Sequence, residues 1–311
     1  MKPEVTVVIP TFNRLWGLKD CISSIQKQTY NNWSVLVVDD AGSDPVEDFI
    51  ESLNDSRIQY YRQNKNLGVA GNWISGIKKV NTEYFSILMD DDWYGKDFLK
   101  NRMSILTESR NIGVVYGPYV RWNCKNLSGL TISPKKKGFI NNARLTEAMI
   151  SREAFIGTMV FKTDLVLKFI NDVLSYNLVV DYAINIFLGM RSNCQGFCLE
   201  SNDFFYREHS ETLSNTKKKD VTKQSLNLLN SIINVNPQFI KVIKNEIFWQ
   251  SVLASRSESE FFYRMNWAFY ALKVKPTYFY SYINLVKCIA ILRFNKRPIS
   301  SAFKTTTNYH N

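Results

Sequence analysis

What most limits the folds open to this chain is that short, branched, apolar runs end in consecutive acids. Tyr84-Phe85-Ser86-Ile87-Leu88-Met89 has the composition of a buried strand, and Asp90-Asp91-Asp92 follows at once. A second such run, Trp33-Ser34-Val35-Leu36-Val37-Val38, ends in Asp39-Asp40. A strand that stops in acids delivers them to one edge of a sheet, where ligands of open α/β folds gather. Three adjacent carboxylates repel one another unless solvent, a proton or a cation relieves them. A hard divalent cation such as Mg²⁺ or Mn²⁺, with phosphate oxygens completing its shell, suits that purpose. A solvated acidic turn explains Asp90-Asp91-Asp92 equally well until the rest of the chain is read.

The surrounding pattern alternates. Strands are expected over 5–9, 33–38, 57–61 and 84–89, with helices over 15–28, 46–53 and 68–80 between them. This spacing means βαβ units and a mainly parallel sheet. A helix over 98–106 and a strand over 113–119 follow, then a hairpin excursion over 120–140. Helices over 143–150, 164–176 and 180–190 are interleaved with short strands near 158–161, 196–199 and 204–206. From 220 to about 294 the pattern is wholly helical. No Gly-x-Gly-x-x-Gly turn follows either acid-tipped strand and no Walker A sequence is present, which argues against a dinucleotide-binding dehydrogenase and a P-loop NTPase. What remains is a nucleotide site read by carboxylates, since an Asp accepts a hydrogen bond from the imide N–H of uracil or from ribose hydroxyls.

Composition excludes further classes. The five cysteines are scattered, and only His209 and His310 could join them, so structural zinc is not expected and reduced thiols in a cytosolic setting are. No leader-like apolar segment follows Met1, and no run approaches the roughly 18 apolar residues of a membrane span. The net charge of +11 is concentrated: between Phe261 and Asn311 there is no acid, while Arg264, Lys273, Lys275, Lys287, Arg293, Lys296, Arg297 and Lys304 are basic. Aromatics such as Phe261, Phe262, Trp267, Phe279, Tyr282 and Phe294 lie among them. That mixture suits an anionic membrane surface, which is expected through 261–311. A helical subdomain with solvated Lys and Arg is the plainer alternative. Nucleic acid is not expected as a partner, because no recognition motif accompanies the charge.

The residues resemble a known family. Val5-Thr6-Val7-Val8-Ile9-Pro10-Thr11-Phe12-Asn13-Arg14, Ser23-Ser24-Ile25 with Gln28-Thr29, Val37-Val38-Asp39-Asp40-Ala41-Gly42-Ser43, Asn66-Leu67-Gly68 and Asp90-x-Asp92 are together similar to a family 2 inverting glycosyltransferase. The resemblance runs over roughly residues 4 to 210. It implies a GT-A fold: an α/β, Rossmann-like mixed sheet flanked by helices, here with a C-terminal helical extension. The implied domains are a catalytic 1–215, with a nucleotide-sugar half over about 1–95 and an acceptor half over about 96–215, then an extension over 216–311.

Carried over position by position, the resemblance implies that Pro10, Thr11 and Asn13 line the nucleotide pocket. Asp40, with Asp39 beside it, would contact the base, and Asp90 and Asp92 would serve metal and diphosphate, Asp92 as the direct ligand. Asp91 would face the ribose or donor sugar. Many relatives carry an Arg where this chain has Gly71, so that contact is lost or supplied by Asn72 or Lys65. Asp181 stands where relatives place the carboxylate that takes the acceptor proton, a helix cap being the bland reading. Tyr206-Arg207-Glu208-His209 implies a phosphate contact at Arg207 and a metal ligand or diphosphate contact at His209, against a surface-loop histidine. Trp93 would offer a sugar-stacking face unless it is simply buried, and Lys135-Lys136-Lys137 is a solvated turn that could meet an anionic acceptor.

The expected function is a metal-dependent (Mn²⁺ or Mg²⁺) hexosyl- or N-acetylhexosaminyl-transfer from a nucleotide-sugar donor, a UDP-sugar, to a lipid-linked or cell-surface glycan acceptor. The expected location is cytoplasmic, peripheral at the inner face of the cell membrane. A sugar-phosphate nucleotidyltransferase and a catalytically decayed binding protein on the same fold are the alternatives.

Overall fold

The first strand, β1 (Val5–Thr11), is buried at every position, as a central strand covered on both faces must be. It continues through Pro10 to Thr11, past the end expected from the proline. On one side it pairs in parallel with β2 (Trp33–Asp39), which in turn pairs with β3 (Ile58–Arg62). On the other it pairs in parallel with β4 (Tyr84–Ile87). The helices α1 (Leu15–Gln26), α2 (Val46–Ser52) and α3 (Gly68–Lys78) make the connections. The chain therefore winds outward from β1 to β3 and then returns to the far side of β1. That reversal opens a crevice at the carboxyl ends of β1 and β4, the place where open α/β sheets receive ligands.

Beyond β5 (Trp93–Tyr94), α4 (Phe98–Glu108) leads to β6 (Ile112–Tyr116) and β7 (Tyr119–Asn123). The single strand expected over 113–119 is thus two, broken at Gly117-Pro118, where proline has no N–H for a ladder. β7 pairs antiparallel with β8 (Ser128–Ile132), the expected hairpin. Then come β9 (Gly138–Ile140), α5 (Asn142–Ile150), β10 (Val160–Lys162), α6 (Thr163–Leu167), α7 (Val180–Arg191), β11 (Gln195–Cys198) and β12 (Phe204–Glu208). The helix expected over 164–176 is only α6 and a separate 3-10 turn, Ile170–Val173. The large sheet has eight strands, ordered β3-β2-β1-β4-β10-β6-β11-β9, and a second sheet of four is ordered β5-β12-β7-β8. Because β10 is antiparallel to both β4 and β6, the large sheet is mixed.

Helical spacing in α1 places Leu18, Cys21, Ile22 and Ile25 on one face, and all four are fully buried against the sheet. Each such Leu or Ile contributes about 1.5–3 kcal/mol. Gly17 on the same helix lies so close to the acid turn that a Cβ there would sit 2.5 Å from the Asp90 carbonyl oxygen. Only glycine allows α1 this approach.

This computed structural model describes residues 4–209, 212, 216–257 and 261–290, and the chain divides into two compact units between Thr216 and Lys217. The second unit contains α8 (Lys218–Ile232), α9 (Ile240–Ser257), α10 (Phe261–Val274) and α11 (Phe279–Ala290). Phe248, Val252 and Ala271 form its small core, with Val274 and Tyr280 packed on them. Of the tail aromatics Tyr280 therefore packs on that core, while Tyr263, Phe269, Tyr278 and Tyr282 are exposed. Arg293, Phe294, Lys296, Arg297, Lys304 and His310, and the side chains of Phe261, Phe262 and Phe279, lie outside the described residues. Among the described residues no helix is long and apolar enough to cross a membrane.

Candidate active site

The crevice between β1 and β4 brings Thr11 against the acid turn: Thr11 Oγ1 donates to Asp90 Oδ2 at 2.8 Å. Arg14, just before α1, places Nη1 between two of the acids, 2.8 Å from Asp90 Oδ1 and 2.9 Å from Asp91 Oδ2. This internal counter-charge lies within the family-like motif at the end of β1. Its signal was the repulsion of three adjacent acids, which a cation near the end of β1 relieves. Burial pushes the Asp90 carboxyl up to about 6, against the pull of the Arg14 guanidinium.

From the other side, β12 closes over the turn. The Arg207 backbone N–H donates to Asp92 Oδ1 at 2.8 Å, and its Nε donates to the Asp91 carbonyl oxygen at 2.8 Å. Arg207 Nη2 reaches Asp20 Oδ2 at 2.7 Å, a second partner the sequence reading missed. His209 Nε2 lies 3.0 Å from Asp91 Oδ2, with its ring edge-on to Trp16. Trp93 stacks on Phe205 with ring centroids 5.3 Å apart, and the Arg207 guanidinium lies 4.8 Å from its centroid. Its ring is thus engaged by protein groups. A fully buried Arg102 paired with Asp203 at 2.8 Å ties α4 to the chain entering β12.

Asp92 differs from its neighbours. It is fully buried, and its Oδ2 has no hydrogen-bond partner. Burial, reinforced by the charge of Asp91, raises its affinity for a proton well above the ordinary carboxylate range. A buried acceptor left unmatched is costly, so this oxygen fits a proton or a hard cation. The wider set expected for metal, Asp92 with Asp90 and His209, is not assembled: among the described residues no three His, Cys, Asp or Glu side chains converge as ligands. Asp90 is engaged by Thr11 and Arg14, and His209 by Asp91. The donor set therefore fits a cation held by one carboxylate, with phosphate and water supplying the remainder.

The second acid pair is tied into the protein. Asp39 is fully buried; Oδ1 accepts the Gly42 N–H at 2.9 Å, and Oδ2 accepts from Tyr60 Oη at 2.8 Å and Arg62 Nη1 at 2.7 Å. Asp40 accepts the Leu67 N–H at 2.7 Å and the Gly68 N–H at 3.0 Å, one on each oxygen, and burial raises its proton affinity. Asn13, at φ +52°, accepts the Ser43 N–H on Oδ1 at 2.5 Å and so joins the loops after β1 and β2. Pro10 is buried beside Val38. Asn72 is also buried: its Nδ2 donates to the Val38 carbonyl at 2.9 Å and its Oδ1 accepts from Gln63. Asn72 braces β2 from behind, while Lys65 is exposed.

Asp181 lies in the first turn of α7, where no side chain caps the helix. Burial of its carboxyl raises its proton affinity, and the Arg152 charge opposes that. Lys135 pairs with Glu153 at 3.2 Å, Lys136 is exposed, and Lys137 Nζ is shielded without a hydrogen-bond partner.

The family model described as Glycosyl transferase family 2 matches residues 6–161. The UDP-Glc:alpha-D-GlcNAc-diphosphoundecaprenol beta-1,3-glucosyltransferase WfgD of Escherichia coli is 30% identical over 132 residues, 42% of this chain and 52% of that protein. The chain spans about half, or less, of the length of the curated relatives it matches. Among solved structures, residues 1–349 of S. aureus TarS superpose with a TM-score of 0.65 at 14% identity, covering 93% of this chain and 89% of that one. The mannosyltransferase PcManGT from Pyrobaculum calidifontis, solved in complex with GDP-Man and Mn²⁺, gives 0.58 at 15%, covering 94% and 81%. At such identity these two likenesses speak for the fold alone.

Proposed function

The chain belongs to glycosyl transferase family 2, and from that membership we propose that it moves a sugar from a UDP-sugar to a hydroxyl of a lipid-linked glycan, with inversion and with Mn²⁺ or Mg²⁺. That it is a glycosyltransferase of GT-A fold sets the nucleotidyltransferase alternative aside. The observation that carries the finer reading is the orphaned, buried Oδ2 of Asp92 at the crevice between β1 and β4.

Asp92 would hold the cation, which when bound neutralises charge on the departing diphosphate. Arg14 and Thr11 fix Asp90 beside it, and the Arg207 N–H fixes Asp92 itself. Asp40 keeps acceptor capacity on each oxygen for a uracil imide N–H. Asp181 takes the proton of the acceptor hydroxyl as that oxygen bonds to the anomeric carbon and the bond to the diphosphate breaks. Its raised proton affinity makes it a stronger base than an exposed Asp.

A lipid-linked acceptor agrees with the acceptor named for WfgD, a diphosphoundecaprenol-linked sugar, and with the charge of the second unit. From residue 217 onward the acids are Asp220, Glu246, Glu258 and Glu260, against Lys and Arg throughout. Trp249, Leu253, Tyr263, Phe269, Tyr282 and Val286 are exposed there, a combination that suits an anionic bilayer. Vesicles containing anionic lipid should sediment the protein, and removal of 261–311 should abolish this; equal sedimentation of the truncated chain would sink the membrane reading.

The central test is a screen of UDP-glucose, UDP-N-acetylglucosamine, UDP-galactose and GDP-mannose with Mn²⁺, following release of the nucleoside diphosphate with and without a GlcNAc-diphosphopolyprenol acceptor. Metal-stimulated, acceptor-dependent release from a UDP-sugar is expected. Release that ignores chelator would refute the metal, and a preference for GDP-mannose would refute the uridine donor.

A further inference from the structure

The first N–H groups of a helix have no partner inside it. In α3 they are met from far away in sequence, and Leu67 at its N-cap contributes no side-chain bond. Asp40 takes the Leu67 and Gly68 N–H groups, as described above, and Asn66 Oδ1 shares the latter at 3.0 Å. The Ala70 N–H is met by Asn177, whose Oδ1 lies 2.9 Å away. Asn177 also lies flat on the turn: at Gly68, which has φ +74°, a Cβ would sit 3.1 Å from Asn177 Oδ1 and 3.2 Å from its Nδ2. A side chain at 68 would meet both an unfavourable backbone and this amide.

Asn177 opens the 3-10 turn Asn177–Val179, which α7 follows directly, Val179 being its N-cap. Val180 is the first residue of that helix and Asp181 the second. One hydrogen bond, beside packing of α3 on the 3-10 turn and on α7, thus joins the start of α3, which Asp40 holds, to the short segment that carries Asp181. These groups belong to opposite halves of the catalytic unit, one serving the donor and the other the acceptor.

We infer that Asn177 is a positioning residue that ties the nucleotide loop to the α7 base, so that a nucleotide on Asp40 sets the pose of Asp181. The inference rests on the roles proposed above for Asp40 and Asp181. Its physical basis is the sensitivity of transfer to base placement, since a displacement of about 1 Å costs up to about 10²-fold in rate. A nucleotide N–H that adds a bond to Asp40 shifts the Leu67 and Gly68 bonds it already makes, and Asn177 passes that change toward α7.

The test uses the full chain and UDP with Mn²⁺ as the probe. Hydrogen exchange should slow on UDP addition both at 67–70 and at the start of α7. Asn177→Ala should keep UDP binding and the slowing at 67–68, yet lose the slowing in α7. Asn177→Asp should restore it, because a carboxylate also accepts the Ala70 N–H. With the donor and acceptor selected above, Asn177→Ala should lower kcat about tenfold or more while donor KM stays within about threefold, and Asn177→Asp should recover most of the loss. Unchanged α7 exchange and unchanged kcat in Asn177→Ala would overturn the inference. Equal losses in both variants with a lowered Tm would overturn it too, as packing alone would then explain the effect. Full activity of Asp181→Asn would refute the base assignment without touching the exchange coupling, which is read without turnover. If UDP slowed exchange nowhere in the wild-type chain, the nucleotide reading would fall and the inference with it.

Discussion

The two acid groups at the carboxyl edge look alike in sequence and differ in what surrounds them. Asp39 and Asp40 have protein partners on every oxygen: Gly42, Tyr60 and Arg62 for one, Leu67 and Gly68 for the other. Asp90 and Asp91 share Arg14, but Asp92 keeps one buried oxygen unmatched. A carboxylate with both oxygens engaged builds a loop, Asp40 still having lone pairs to spare for a ligand N–H, whereas one with an orphaned oxygen stores an unmet demand for positive charge. The comparison teaches that acids at strand ends are not equivalent candidates: Asp39 organises the loop after β2, and Asp92 is open to chemistry.

The largest effect should come from Asp92→Asn, which removes the charge while keeping the shape. Turnover measured by nucleoside diphosphate release should drop at least about 10²-fold, with Tm held or raised because a buried charge is relieved. Wild-type turnover in that variant would place the two acid groups on the same structural footing. Asp39→Ala should do the reverse, lowering stability by about 2 kcal/mol in urea unfolding as Tyr60 and Gly42 lose their acceptor. Arg14→Met removes the counter-charge of the triad. Mn²⁺ binding to the nucleotide-free protein, followed by calorimetry, should then tighten roughly fivefold, about 1 kcal/mol for a partly exposed pair. No change would mean that Arg14 does not compete for the acids.

The smallest effect concerns Asp181, a third carboxylate with one cationic neighbour. Its folded-state proton affinity is raised by burial, so the ionised form of this proposed base is lost as pH falls through a value above the ordinary ~3.9 of an Asp. The acid limb of kcat should lie there, and Arg152→Ala should move it further up, by less than about one pH unit given the exposure of that arginine. A limb that moved down would remove Arg152 from the charge balance. Because the folded state holds this proton more tightly than the unfolded chain, Asp181 contributes most stability below its unfolded pKa. That contribution is lost as pH rises through the window up to the folded pKa.

Much of the fold was legible in advance. Branched runs and 3.6-residue spacing reflect burial of one face or both, and β1 to β4 with α1 to α3 follow that pattern to within a few residues. The expectations that missed were of two kinds. At Gly117-Pro118 the chain changes sheets, a tertiary event that hydropathy does not register. Over 164–176 an apolar pattern suited to a helix is divided between α6 and a 3-10 turn by packing around it. In the site, the acids stood out because charge next to an apolar run is unusual, and Asp181 through the family resemblance alone. Arg14, Tyr60, Arg62 and Asn177 did not, since each acts through a partner remote in sequence.

By itself the sequence determined that acids would end two strands of an α/β sheet and that a basic, aromatic, helical segment would follow the catalytic part. Local composition and periodicity suffice for this, because they record which faces avoid water. Only the tertiary structure decided which oxygens are spoken for. It set Thr11 and Arg14 on Asp90, Arg207 on Asp92, Leu67 and Gly68 on Asp40, and Asn72 behind β2, where it braces the sheet. Hydrogen bonds saturate and act over about 3 Å, so the role of a carboxylate depends on which groups the fold brings within that reach.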